Sequence, residues 1–126
     1  MIKLSTAELV LPAVADQVRT ARVVVAAAAR RAGMDETGLD AVRLAVGEAC
    51  ARATQRAAPR DEIDITMSDD GGWFVVQVRE RAGKPTGERC SADHDMAGIV
   101  IEALSQESSQ ILSVDTIVTR MAWPIG

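Results

Sequence analysis

A two-layer α+β sandwich is the fold that the sequence predicts, with a mixed, mostly antiparallel sheet covered on one face by helices. Three observations predict it. Apolar residues recur at three- and four-residue steps through Val14 to Ala28 and again through Leu39 to Ala53, the spacing of a helix face turned to a core. In several shorter runs apolar and polar residues alternate, as they do along half-buried strands. The two helical segments are neighbours in the chain, and the later strands return through tight turns, so helices and sheet separate into layers.

Taken in order, Ile2 to Leu11 alternates and reads as the first strand. Pro12 suits the first turn of a helix, where its missing N–H costs nothing. That helix carries Val14, Val18, Ala21, Val25 and Ala28 on one face, with Asp16, Arg19, Arg22 and Arg30 opposite. It ends near Gly33, a candidate C′ glycine. Asp35 can cap a second helix running to about Gln55, although Gly38 weakens its first turn. Glu62 to Ser68 alternates Ile63, Ile65 and Met67 with polar partners, and Asp69-Asp70-Gly71-Gly72 is a hairpin signal. Trp73 to Arg81 is the returning arm, with Phe74, Val76 and Val78 on one face.

Ala82 to Asp95 loses all periodicity, and a stretch of that length inside a small domain reads as a functional or mobile loop. A short helix follows over Met96 to Leu104, and Gln110 to Val114 and Thr116 to Trp123 read as two last strands around Asp115. The loop therefore lies before a helix N-terminus, where backbone N–H groups favour anions.

Composition narrows the function classes. With 126 residues there is room for one core, so a single domain over residues 1–126 is expected. The longest apolar run, Val23 to Ala29, is far short of the roughly 20 residues that cross a bilayer. No basic stretch precedes an apolar one at the start, so no membrane association and a cytoplasmic setting are expected. A net charge of −4 argues against a broad nucleic-acid surface. Trp73, Phe74 and Trp123 are the only aromatic residues, so the core must be aliphatic and rich in alanine. A core of that kind gains from a second surface, which makes pairing of two copies an expectation.

Several chemical signals have bland counterparts. Cys50 and Cys90 lack CxxC spacing, and with one histidine, His94, they make neither a disulfide framework nor a zinc site. Cys50 is expected to be buried and inert. Gly83 and Gly87 fit no phosphate-loop pattern. No metal site is predicted. Glu48 and Arg52 stand four apart, either as a helix-surface ion pair of about 0.3–0.5 kcal/mol or as members of a pocket.

Four segments carry a resemblance. Pro12 to Arg31 with its Val18-Arg19 pair, Leu44-Ala45-Val46-Gly47-Glu48-Ala49, Val76 to Gly83, and Met96-Ala97-Gly98-Ile99 followed by Leu104 come in the order and spacing of one family. Together they resemble the small serine-kinase anti-sigma factors, built on the histidine-kinase-like ATPase fold. The resemblance implies a nucleotide site. In that family a glutamate at the position of Glu48 is the general base, and an asparagine four residues later holds Mg²⁺. An aspartate at the position of Glu80 receives the adenine amino group, with glycine two positions on. A G-x-G-L run opens the third helix.

This chain departs from each motif. Arg52 stands at the metal position, and a guanidinium offers five donors and no acceptor. Arg56 follows one turn later, where the family often has histidine. Glu80, with Ala82 before Gly83, replaces the aspartate motif, and Met96 takes the first glycine's place so that only Gly98 survives. Met96 is expected to bring bulk near the phosphates.

The sequence therefore predicts a degenerate ATPase fold with no bound cofactor, Mg-ATP being the alternative. By resemblance it is a partner-switching protein that binds a sigma factor, a STAS-domain anti-sigma-factor antagonist, or both, and pairs as a homodimer. The competing reading is an active ATP-dependent protein-serine kinase acting on that antagonist, with Glu48 as base. A further possibility is that Arg52 or Arg56 binds phosphate directly, guanidinium charge replacing metal charge.

Overall fold

The computed structural model describes residues 5–81 and 96–125. Strand β1 (Ser5–Pro12) leads through a 3-10 turn, Ala15–Gln17, into α1 (Val18–Arg31) and α2 (Glu36–Arg56). The hairpin of β2 (Glu62–Asp70) and β3 (Trp73–Arg81) follows, then α3 (Met96–Leu104), β4 (Glu107–Leu112) and β5 (Thr116–Pro124). The strands form one sheet in the order β1-β2-β3-β5-β4. Among the described residues every pairing is antiparallel, so the mostly antiparallel sheet expected from the sequence is found without a parallel pair. β5 inserts between β3 and β4 and runs against both.

Local chemistry sets the boundaries. α1 ends in a Schellman motif. Gly33, at φ 103°, lets its own N–H reach Arg30 O at 3.1 Å while the Met34 N–H reaches Ala29 O at 3.1 Å. Asp35 caps α2, its Oδ1 accepting from the Gly38 N–H at 2.8 Å. Gly71 and Gly72 both adopt positive φ between Asp70 and Trp73, the requirement of a two-residue hairpin turn of the primed kind.

Two expected boundaries move. Pro12 closes β1 opposite Glu62 instead of opening the helix, and α1 starts at Val18. An edge strand tolerates proline, and the chain turns there as the Ala13 N–H bonds Asp61 O at 2.9 Å. β4 begins at Glu107, earlier than its alternation suggested, because Ser108 and Ser109 are recruited by the ladder opposite Met121 and Arg120. Val114 falls in the turn, closed by the Ser113 N–H on Thr116 O at 2.8 Å.

The core lies between the helices and one sheet face. Val25 and Ala29 of α1 and Leu39, Val42, Val46, Ala49 and Ala53 of α2 pack on Ile63, Ile65 and Met67 of β2, Phe74, Val76 and Val78 of β3, and Met121 and Trp123 of β5. Small residues let the helices come close, and Gly47 of α2 sits under the aliphatic arm of Arg22. α3 is tied to the sheet by the Trp123 indole, whose Nε1–H donates to Leu104 O at 2.8 Å. No helix among the described residues is long and apolar enough to cross a membrane.

Candidate functional site

Alternation along β3 turns Phe74, Val76, Val78 and Glu80 toward the helices, so a carboxylate is carried into the core layer at the end of the strand. Glu80 is only 3% exposed. The last turns of α2 pass over it. Arg56 Nη1 lies 3.5 Å from Glu80 Oε1, an ion pair largely removed from water. One turn earlier, Arg52 is 6% exposed and donates from Nη2 to Thr119 Oγ1 at 2.9 Å. Thr119 stands opposite Val78 on the same sheet face. Two arginines thus fasten α2 to β3 and β5.

Beside them, between α3, β4 and β5, is a cleft of about 300 Å³ lined by Arg52, Gly98, Ile99, Glu102, Gln110 and Thr119 among others. Of the residues singled out in the sequence, Arg52 and Gly98 line this cleft, and Arg56 and Glu80 meet beside it. Glu48 stands apart. It is exposed, and among the described residues it has no ion-pair partner, so the surface pair with Arg52 does not form. Met96 is also exposed, at 68%, and is not among the side chains lining the cleft, so its bulk is not what fills that space. Ala82 and Gly83, like Cys90 and His94, lie outside the described residues.

Cys50 is buried in the core, and its thiol is pushed up to about 12, first by burial and then by the nearby Glu80 charge. A thiol held protonated in this way is no nucleophile at neutral pH. No cluster of histidine, cysteine and carboxylate among the described residues could hold a metal ion. Thr119 is the member of the site that sequence reasoning missed. Its signal was parity: it is the polar residue at an inward position of β5, between Ile117 and Met121.

The histidine kinase-like ATPase domain family (HATPase_c_2) matches residues 11–110, most of the chain. The chain belongs to this family. Within the histidine kinase-like ATPase domain, the crystal structure of the RsbU and RsbW domains of Rv1364c from Mycobacterium tuberculosis is a similar solved structure. Its TM-score is 0.73 at 15% identity, and the match covers 95% of this chain and 32% of that one. This chain therefore spans about a third of that structure's length, and at that identity the likeness is one of fold. No curated protein matches the chain by sequence.

Mg-ATP, which the fold family implies, meets a guanidinium and no oxygen donor in the side chain at position 52. The side chain at the metal position carries no acceptor and already donates to Thr119. The carboxylate at the adenine position is engaged by Arg56. A cation bound here would meet guanidinium charge from two sides.

Proposed function

We propose that this chain is a regulatory binding protein of the anti-sigma-factor kind, with a nucleotide site that has been converted into a structural joint. It works by partner switching, occupying a sigma factor, a STAS-domain antagonist of anti-sigma factors, or both in turn, and it pairs with a second copy of itself. Switching is then a matter of relative affinity and concentration of competitors, with no chemical step. The observation that carries this reading is the pair of arginines. Arg52, donating to Thr119, stands at the position that the resemblance gives to the metal ligand, and Arg56 engages Glu80, at the position it gives to the acceptor of the adenine amino group. The family match and the RsbW-containing neighbour support a partner-switching role, and the partner classes follow from the resemblance read in the sequence.

Incubating the purified chain with ATP, Mg²⁺ and candidate STAS-domain or sigma-factor partners separates this from the kinase reading. The expected result is a complex whose formation is indifferent to nucleotide, with no phosphoryl transfer. Phosphorylation of the antagonist that disappears in Glu48→Gln would establish the kinase instead.

A further inference from the structure

On the far side of the helix layer from the sheet, α1 and α2 enclose an open groove of about 750 Å³ lined by Arg19, Arg22 and Val23 of α1 and Asp40, Arg43 and Leu44 of α2. Val23 is 62% exposed and Leu44 55%, an apolar pair facing water between the two helices. Three arginines and one aspartate surround them, on a chain whose net charge is −4. Asp40 is already used, its Oδ1 accepting from Arg43 Nη1 at 2.9 Å. Among the described residues neither Arg19 nor Arg22 has a carboxylate partner.

We infer that this groove is a docking site for an acidic amphipathic helix of a protein partner. Such a helix lays apolar side chains at i and i+3 or i+4 over Val23 and Leu44 while its carboxylates meet Arg19 and Arg22. Guanidinium forks suit carboxylates in paired hydrogen bonds, and aliphatic arginine arms add apolar contact. The Arg22 arm is already laid flat over Gly47: a Cβ at that glycine would come within 2.9 Å of Arg22 Cδ. The cation is thereby held at the groove's edge. A nucleic-acid backbone is the poorer occupant, because the surrounding acidic chain repels it and it offers nothing to Val23 and Leu44.

Assigning the groove to the partner proposed above rests on that reading, but the groove can be tested without it. The probe is a fluorescent amphipathic peptide of roughly 18 residues with leucines at helical spacing flanked by glutamates, followed by anisotropy and by amide shifts of the labelled protein. The expected result is binding that weakens at least about tenfold in Arg19→Glu/Arg22→Glu and in Leu44→Asp, and that weakens as salt rises from about 50 to 300 mM. Shifts should centre on α1 and α2. Circular dichroism of each variant checks that the helices persist, and Arg60→Glu, outside the groove, should bind as the parent does. Equal binding by the charge-reversed variants, shifts centred elsewhere, or tighter binding of a lysine-flanked peptide or a single-stranded oligonucleotide would overturn the inference. If the peptide binds in the groove yet no sigma factor or antagonist binds the parent chain, the regulatory reading fails and the groove stands. If those partners bind the parent and Arg19→Glu/Arg22→Glu alike, the reverse holds.

Discussion

At position 52 the chain places a planar cation with no acceptor, and the fold buries it against the hydroxyl of Thr119 at 2.9 Å. Arg56, half-buried, lies 3.5 Å from the buried carboxylate of Glu80. Removing Arg56 would take this ion pair away from a carboxylate in the core layer, so Arg56→Ala should cost about 1–3 kcal/mol of stability, read from urea unfolding. Unchanged stability would show that the contact is incidental. The converse change restores the family's side chains: Arg52→Asn/Arg56→His should gain Mg²⁺-dependent nucleotide binding that Arg52→Asn alone does not reach, because Arg56 still holds Glu80. Cys50 gives a pH prediction. Its folded pKa of about 12 lies above the ordinary thiol value of 9.0, so the native state keeps a proton that the unfolded chain gives up. That contribution is complete below the lower value and is lost as pH rises toward the upper one. Unfolding free energy should fall above about pH 9, less steeply in Cys50→Ala. An identical slope in both would contradict the burial of the thiol.

Among the elements, those with local punctuation were legible in the sequence and those shaped by pairing were not. Gly33 and Asp35 announced the α1–α2 junction, and both perform the capping their residue types suggest. Asp35→Ala should therefore cost about 1 kcal/mol, seen as a lower melting temperature with the fold retained. No change would mean the Gly38 N–H finds water as readily. The hairpin at Gly71-Gly72 and the short helix α3 were equally plain. The start of β4 was not, because serines carry little strand preference and Ser108 and Ser109 are extended only by the ladder to β5. Pro12 misled for a related reason: a proline fits both a helix's first turn and the end of an edge strand, and only the partner strand decides. Within the site, Arg52, Arg56, Glu80 and Gly98 were singled out because short segments resemble one family's motifs. The contacts joining them to Thr119 and to one another cross elements, and those distances are not written in one segment.

For the molecule as a whole, a sheet with helices on one face and an alanine-rich core presents two kinds of surface. One is the cleft between α3, β4 and β5, lined in part by Arg52; the other is the groove across α1 and α2. Under the proposed reading, partners are held through these surfaces, and Arg52 and Arg56 tie α2 to the sheet. The expected assembly is a pair of copies, so sedimentation equilibrium should give twice the chain mass, and a monomer at micromolar concentration would remove that element of the proposal. The most direct measurement of the central claim is calorimetric titration of the unmodified chain with ATP and ADP, with and without Mg²⁺. The arginine joint predicts no Mg²⁺-dependent binding and no micromolar affinity for either nucleotide. Micromolar affinity for Mg-ATP, lost on chelation of the metal, would contradict it.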